Sequence, residues 1–303
     1  MDDVLPPFAV CSVLFGNHEL PPLLAGLPDA CAAVVLVDNS GDLTTTIDDP
    51  RVIVVRPGRN LGYPAGINAG LRALEDKGPF EVIVLANPDL TMTRGFCSRL
   101  VRAAASSSPT IAIPQGGDLG TGLNRCPMPV GSALALLTRV NACATWGSRS
   151  DYPSGSLVAL NRSAMQILQT PDGLLRDSLF FMDDVDLGVR AREGNVGLVG
   201  VATTRDEVVH EVNGTAWRAP SIPFYFRRAS KVRYWIDERP TRGGRAYQAA
   251  VLIEAALIWA VSRISGWPRW TEVRPACASL VRTRGRHPEL DDQVLAMMSR
   301  VEA

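Results

Sequence analysis

One short apolar run sets the strongest constraint on how this chain folds. Residues Val82 to Ala86 carry no polar side chain, and the run ends abruptly at Asn87-Pro88-Asp89. A β-branched run of this length is typical of a strand that is buried on both faces of a parallel sheet. Because open α/β sheets bind ligands at the carboxyl ends of their strands, Asn87 and Asp89 are candidate ligand-binding residues. A plain strand-ending turn is the alternative explanation.

A metal ion is the ligand that these side chains suit best. The oxygen atoms of Asn87 and Asp89 are of the kind that Mg²⁺ or Mn²⁺ prefers, with a substrate phosphate completing the coordination shell. His210 directly follows a predicted short strand, Glu207 to Val209, and is a second candidate metal ligand. A lone histidine more often has a structural role, so the sequence alone leaves both explanations open.

Further apolar segments alternate with helical ones along the chain. Strands are predicted at Phe8 to Phe15, Ala32 to Val37, Val52 to Val55, Ile111 to Ile113, Leu157 to Leu160 and Val196 to Val201. Helices are predicted from the Gly62 region to about Lys77 and from Met92 to Ala105, and Asn161 is a candidate helix N-cap. This alternation predicts an α/β fold with a mostly parallel sheet flanked by helices. Residues 114–152 are predicted to form an irregular insertion.

The composition narrows the class of protein. The 31 basic and 31 acidic residues balance, so nothing indicates binding to nucleic acid. The six cysteines include no Cys-x-x-Cys pair, which predicts buried reduced thiols rather than disulfides or a zinc site. The N-terminus with Asp2 and Asp3 lacks the basic region of a signal peptide, and no stretch has the length of a confident membrane span. The expected location is the cytoplasm.

Two loops that follow predicted strands have the chemistry of a nucleotide site. Asp38 can accept hydrogen bonds from a ribose or a base imide, or it can simply form an Asp-Asn turn. The segment after Asn60 carries Gly62, Gly66 and Gly70 at the start of a helix, which lets the backbone approach a diphosphate. Its G-x-x-x-G-x-x-x-G spacing differs from the dinucleotide fingerprint, and close helix–sheet packing is the alternative explanation.

A cluster of acids precedes or begins another predicted helix. Asp183, Asp184 and Asp186 follow two phenylalanines in this cluster. A helix N-terminus favours negative charge, which is the structural explanation. Crowded carboxylates also raise one another's pKa, which leaves one of them usable as a general base.

In their order along the chain, these motifs resemble those of the family 2 glycosyltransferases of the GT-A fold, and they are most like the rhamnosyltransferase and galactofuranosyltransferase branch. The resemblance covers about residues 8–235. It rests on Val37-Asp38-Asn39-Ser40, Asn60-Leu61-Gly62-Tyr63-Pro64-Ala65-Gly66-Ile67-Asn68, Asn87-Pro88-Asp89, Gly155-Ser156, the segment from Phe181 to Arg190, His210, and Phe224-Tyr225-Phe226-Arg227-Arg228.

The resemblance implies a role for individual residues. Asp184 is the implied catalytic base, and Asp183 is the acid that precedes it. The residues implied to bind the donor are Asp38, Asn60, Gly62, Gly66, Asn68, Asn87 and Asp89. The implied acceptor side comprises Gly155, Ser156, Asp186 and Arg190, of which the last two also position their helix. Asp89 and His210 are the implied metal ligands, and Asn87 replaces the first Asp of the Asp-x-Asp motif.

The expected function is that of an inverting glycosyltransferase that depends on Mn²⁺ or Mg²⁺. Its donor is a dTDP- or UDP-linked sugar such as dTDP-rhamnose, and its acceptor is a glycan, a lipid-linked intermediate or a small molecule. A nucleotidyltransferase is the alternative enzyme, disfavoured because no Gly-rich triphosphate loop lies near the N-terminus. A catalytically inactive sugar-nucleotide-binding or scaffold protein is the alternative from another class, which Asn87 permits.

The chain is expected to divide into a catalytic domain, residues 1–215, and a C-terminal helical region, residues 216–303. Ala246 to Val261 is apolar, and Glu254 is its one formal charge. Three alternatives stay open for this segment: packing onto the catalytic domain, forming a homodimer face, or lying in a membrane interface beside Arg263 and Arg269. Peripheral contact with the inner face of a membrane is therefore open alongside the cytoplasmic location.

Overall fold

The structure, a computed structural model, describes residues 5–16, 19–45, 47–116, 123–145, 148, 151–210, 221–265 and 273–285. Arg269, at which the sequence suggests a membrane interface, lies outside these ranges. The chain forms two compact units. The first, here the sheet unit, comprises Met1–Asn124, Tyr152–Asp177 and Asp183–Asn213, and the second, the helical unit, comprises Arg125–Asp151, Ser178–Met182 and Gly214–Ala303.

The main strands of the sheet unit form one seven-stranded sheet. They are β1 (Phe8–Leu14), β2 (Cys31–Asp38), β3 (Val52–Val55), β4 (Val82–Ala86), β6 (Thr110–Gln115), β9 (Leu157–Asn161) and β10 (Gly197–Ala202), in the order β10-β6-β9-β4-β1-β2-β3. Neighbouring strands are parallel except that β9 is antiparallel to both β4 and β6. The predicted α/β fold with a mostly parallel sheet is confirmed.

The remaining elements of the chain are short strands and helices. Two strands, β5 (Leu90–Met92) and β11 (Val208–His210), pair with each other, and β7 (Leu123–Arg125) and β8 (Asp151–Pro153) are equally short. The helices of the sheet unit are α1 (Gly62–Glu75), α2 (Arg94–Ala104), α4 (Arg162–Ile167), α5 (Asp183–Glu193) and a short 3-10 turn, Pro22–Gly26. Asn161 caps α4 as predicted, since its side chain accepts a hydrogen bond from the Ala164 N–H.

Alternation of apolar side chains explains why the sheet is covered on both faces. Along β1, Phe8 and Val10 belong to the core on one face, whereas Ala9 and Cys11 belong to the core on the other. All five residues of β4 are buried in the same alternating way. A strand whose successive side chains point to opposite faces can be apolar throughout only where helices cover both faces.

Close packing constrains two of the three glycines that open α1. A Cβ atom on Gly70 would lie 2.4 Å from Cys11 Sγ, and one on Gly66 would lie 3.0 Å from both methyl carbons of Val13. Gly62 differs from these two, because its φ of +75° places it in the left-handed region with no heavy atom near its missing side chain. Gly66 and Gly70 therefore allow α1 to pack closely against the sheet.

We expect Gly70→Ala to lower the free energy of unfolding by about 1–3 kcal/mol, because the added methyl group has no room beside Cys11. Urea denaturation of the full chain measures this change. Gly95→Ala in α2 is the matched control, since the nearest atom to its added Cβ is 3.9 Å away, and it is expected to be neutral or to stabilise by about 0.5–1 kcal/mol. Equal effects at the two positions would contradict the packing explanation.

The helical unit contains α3 (Pro129–Thr138), α6 (Ser221–Arg233), α7 (Gly244–Ser265), α8 (Arg274–Arg282), a 3-10 turn (Asn141–Thr145) and a π-helical segment (Tyr234–Glu238). Glu254 of α7 is almost fully buried, and both of its oxygens are paired. Arg228 donates to them over 2.6 and 2.8 Å, and Arg139 donates to one of them over 2.6 Å. The charge inside the apolar run is therefore neutralised within its own unit.

Several sequence predictions differ from the structure. The short strand predicted from Glu207 to Val209 is Val208–His210, so His210 ends this strand and does not follow it. The helix predicted from Met92 begins at Arg94, because Leu90–Met92 is a strand. The segment 114–152 was predicted to be irregular, but it contains the regular helix Pro129–Thr138. The apolar C-terminal helix is longer than predicted, at 22 residues. All six cysteines are free, and burial raises the pKa of the Cys11, Cys31, Cys97 and Cys277 thiols to about 12, as expected for inert reduced thiols.

Candidate active site

A two-stranded ladder brings Asp89 and His210 together. Asp89 lies between β4 and β5, and His210 ends β11, which pairs antiparallel with β5 so that His210 stands opposite Leu90. This register places His210 Nε2 3.2 Å from Asp89 Oδ1. Asn87 Nδ2 lies 3.4 Å from the same imidazole nitrogen. The strand pairing thus gathers the three predicted metal-site residues at the carboxyl end of β4.

The Asp89 carboxylate has an unmet bonding capacity that a cation would satisfy. Asp89 Oδ1 is buried, and no donor in the described part of the chain makes a hydrogen bond of good geometry to it. The described residues hold no cluster of three or more His, Cys, Asp or Glu side chains of the kind that binds a metal alone. Mg²⁺ and Mn²⁺ commonly take one or two protein ligands and complete their shell with water and phosphate, so Asp89 and His210 fit such an ion.

The start of β9 lies directly beside this group. The Asn87 N–H donates to the Ser156 carbonyl over 2.8 Å, which continues the β4–β9 ladder past Ala86. The Ser154 and Ser156 hydroxyl oxygens are 3.0 Å apart, and both side chains are buried. Gly155 and Ser156, predicted to be on the acceptor side, therefore adjoin the predicted metal site.

The paired acids at the start of α5 face Gly155. A Cβ on Gly155 would lie 3.4 Å from Asp184 Cβ and 3.8 Å from Asp183 Oδ2. Asp183 is buried, whereas Asp184 is half-buried and accepts a hydrogen bond from the Val185 N–H. A side chain at position 155 would fill the space against both acids, so the glycine keeps this space clear.

Tyr63 joins the glycine-rich segment to the acids, and sequence analysis did not single it out. Its hydroxyl donates to the Gly155 carbonyl over 2.9 Å. Burial raises the pKa of Tyr63 well above its ordinary value, and the charges of Asp183, Cys11 and Asp184 raise it further. The tyrosine therefore stays neutral and keeps its proton for the hydrogen bond. The sequence motif from Asn60 to Asn68 contains Tyr63, but it does not show in which direction the Tyr63 side chain points.

The loops predicted to contact a nucleotide are held together by their own polar side chains. Asp38 is buried and accepts hydrogen bonds from the N–H groups of Gly41 (2.8 Å) and Leu43 (3.2 Å). Asn60 accepts one from the Gly62 N–H at the start of α1. Asn39, another residue not singled out, donates to the Gly62 carbonyl over 3.0 Å. These bonds link the loop after β2 to the start of α1, so both loops are preorganised.

Three predicted site residues face the protein interior instead. Asn68 is 2% exposed, and its amide bonds the backbone of Leu175 in both directions and the Asp177 carboxylate. Asp186 is fully buried and pairs with Arg190 over 2.7 Å. Arg190 also donates to the carbonyls of Leu168 and Leu174. These contacts are those of residues that position their neighbours within the protein interior.

The arrangement in the sheet unit is matched by known proteins. Residues 33–143 match the family model described as Glycosyl transferase family 2. The chain is 25% identical over 174 residues to the low-salt glycan biosynthesis hexosyltransferase Agl10 of Haloferax volcanii, and the match covers 55% of this chain and 55% of that relative. The chain spans about half the length of that relative.

These matches indicate that the chain resembles glycosyltransferases. The resemblance to family 2 glycosyltransferases that the motifs indicate is confirmed in the matched segment, residues 33–143. The likeness to the rhamnosyltransferase branch stays a prediction.

Several solved structures are similar to this chain. The mannosyltransferase PcManGT from Pyrobaculum calidifontis, in complex with GDP-Man and Mn²⁺, is 14% identical with a TM-score of 0.45, and the match covers 93% of this chain and 88% of that one. GalNAc-T7 with UDP, GalNAc and Mn²⁺ is 14% identical with a TM-score of 0.49, and the match covers 69% of this chain and 44% of that one. S. aureus TarS 1–349 is 13% identical with a TM-score of 0.43, and the match covers 93% of this chain and 93% of that one.

Proposed function

We propose that this protein transfers a sugar from a nucleoside-diphosphate donor to an acceptor hydroxyl, with inversion at the anomeric carbon. The observation that carries the proposal is the buried oxygen of Asp89 facing His210, on the same strand end that adjoins Gly155 and the acids Asp183 and Asp184. The family match and the hexosyltransferase relative support a hexose or deoxyhexose as the transferred sugar.

On the donor side, Asp89 and His210 would hold Mn²⁺ or Mg²⁺, with Asn87 beside them. When bound, such an ion neutralises the charge that develops on the departing diphosphate. Asn60 and Gly62 hold the start of α1, where the helix dipole favours an anion. The hydrogen bonds of Asp38 hold the neighbouring loop in a conformation that can bind a base or a ribose. We propose dTDP-rhamnose or a UDP-sugar as the donor.

On the acceptor side, Asp184 is the proposed general base. It is half-buried, so a hydroxyl group can reach it, whereas Asp183 beside it is buried. A carboxylate that takes the proton of the attacking hydroxyl, from the face opposite the leaving group, gives inversion in one displacement. Glycan, lipid-linked and small-molecule acceptors all satisfy this chemistry, and we propose that the reaction takes place in the cytoplasm.

A sugar-nucleotide binder without activity is the second candidate. Asn87 supports it, because an amide is a weaker metal ligand than the carboxylate of an Asp-x-Asp motif. The two candidates share the donor site and differ only in whether Asp184 acts on an acceptor. Binding and turnover measured on the same protein therefore separate them.

The test is isothermal titration of the full chain with dTDP, UDP, GDP and their sugar conjugates, in Mn²⁺, in Mg²⁺ and in chelator. We expect one nucleotide to bind only with metal, and Asp89→Ala to abolish this binding. Asp76→Ala is the matched control, since Asp76 is exposed just beyond the end of α1. Slow metal-dependent hydrolysis of the bound donor would support a transferase. Binding with no hydrolysis or transfer would favour the inactive binder, and no binding at all would contradict both.

A further inference from the structure

We propose that the outer face of α7 docks onto an anionic membrane surface. Every exposed residue of this helix between positions 246 and 262 is apolar: Ala246, Ala249, Ile253, Ala256, Leu257, Trp259, Ala260 and Val261. Leu257 is 61% exposed and Ile253 is 50% exposed. A helix of a water-surrounded unit normally carries polar residues on its outer face, so this uninterrupted apolar face needs a cover.

The opposite face of α7 is already used for packing. Tyr247, Val251, Ala255 and Ile258 are buried, and Glu254 is held between Arg139 and Arg228. Gly244–Arg263 is long and apolar enough to cross a membrane by length and composition, but 39% of that stretch is buried inside the protein. A crossing helix would need lipid or other apolar partners all round. One packed face and one apolar exposed face instead fit a helix that lies in the plane of the membrane interface.

The apolar surface extends onto α3. Leu137 and Val140, at and just beyond the end of α3, are 54% and 51% exposed. A pocket of about 190 Å³ is lined by residues of both helices: Leu136, Leu137, Arg139, Glu254, Leu257, Ile258 and Val261. Because Leu137 and Leu257 border the same pocket, the apolar residues of the two helices adjoin each other there, with the Arg139–Glu254 ion pair in the pocket wall.

Arginines border this face. Arg242 and Arg245 are exposed at the start of α7 and Arg263 is exposed at its end, while Arg139 borders the pocket with its side chain 58% exposed. The Arg263 guanidinium lies over the Trp259 ring, 5.0 Å from its centroid. An aromatic ring beside a cation at the edge of an apolar surface suits the boundary between lipid headgroups and acyl chains.

These charges favour an anionic bilayer over a second copy of the chain. In a symmetric dimer through this face, the same arginine-bordered patch would meet itself, so like charges would be brought together. Lipid phosphates instead attract the same arginines, and anionic lipids contribute favourably with each basic residue near the surface. The same physics predicts that binding weakens as ionic strength rises.

The test is co-flotation of the full chain with vesicles of phosphatidylcholine alone or mixed with phosphatidylglycerol, without nucleotide. We expect binding to the anionic vesicles, weaker binding in high salt, and a loss of about tenfold in Leu257→Glu. Arg263→Ala should weaken the binding about fivefold. Ile167→Glu is the matched control, because Ile167 is a 45% exposed helical residue of the sheet unit, and its binding should not change.

A second measurement keeps the proposal testable if Leu257→Glu disturbs folding, which circular dichroism would reveal. Brominated acyl chains should quench tryptophan fluorescence of the bound protein, and Trp259→Phe should remove most of that quenching. The proposal would be overturned if the protein did not bind vesicles. It would also be overturned if the α7 substitutions changed neither the binding nor the quenching. Sedimentation showing a dimer that Leu257→Glu dissociates, without vesicle binding, would do the same. None of these readouts depends on sugar transfer.

Discussion

Replacing Asp184 with Asn is expected to lower the turnover number about 10²- to 10⁴-fold while the affinity for the donor nucleotide stays unchanged. Asparagine keeps the size and the hydrogen bond to the Val185 N–H, but it cannot take a proton from the acceptor hydroxyl. Release of nucleoside diphosphate under saturating donor measures turnover, and isothermal titration of the same variant measures donor binding.

Two further variants make the Asp184 prediction specific. Asp183→Asn changes the neighbouring buried acid, and Glu193→Gln removes a carboxylate at the last position of α5, away from Gly155. We expect near-normal turnover in Glu193→Gln and a smaller loss in Asp183→Asn than in Asp184→Asn. Near-normal turnover in Asp184→Asn would show that Asp184 is not the base. A larger loss at Asp183 than at Asp184 would transfer the role to the buried acid.

The sheet could be predicted from sequence because its strands are apolar on both faces. Val52–Val55 and Val82–Ala86 have the observed bounds that their sequences predict. The helix Pro129–Thr138 could not be predicted, because its ten residues carry no charge to mark a polar face. It also ends at Arg139, which adopts the left-handed conformation with φ of 61° that usually indicates glycine. No glycine therefore marks the end of this helix in the sequence.

Part of the site could also be predicted, because it lies at the end of a strand that the sequence predicts. Sequence order placed Asn87 and Asp89 at a strand end, and the contact between Asp89 and His210 agrees with the predicted pairing. That contact depends on the three-residue strand Leu90–Met92, whose stability comes from pairing with a distant segment and not from local preference. The inward direction of Asn68 was equally invisible, because a helical motif does not show which face meets the protein interior.

Removing either member of the Asp89–His210 pair is expected to abolish metal-dependent donor binding at ordinary ligand concentrations. We expect His210→Ala to weaken nucleotide affinity in Mn²⁺ by at least 10- to 100-fold, the loss typical even of residues that only support a metal ligand. Asp89→Ala should lose at least as much, because it removes the one carboxylate. Titrations in Mn²⁺ and in chelator measure both losses. In chelator, the variants and the natural protein should have the same nucleotide affinity.

Two other substitutions at the same edge test whether the loss comes from the metal. Glu207→Gln changes a half-buried carboxylate just before β11 that pairs with Arg99 and not with the Asp89–His210 pair, so metal-dependent binding should not change. Asn87→Asp would place a second carboxylate beside His210 Nε2, and we expect tighter Mn²⁺-dependent binding because charged oxygens bind divalent ions more strongly. If His210→Ala and Asp89→Ala weakened binding equally with and without metal, the pair would be a structural contact, and Asn87→Asp would then bring no gain.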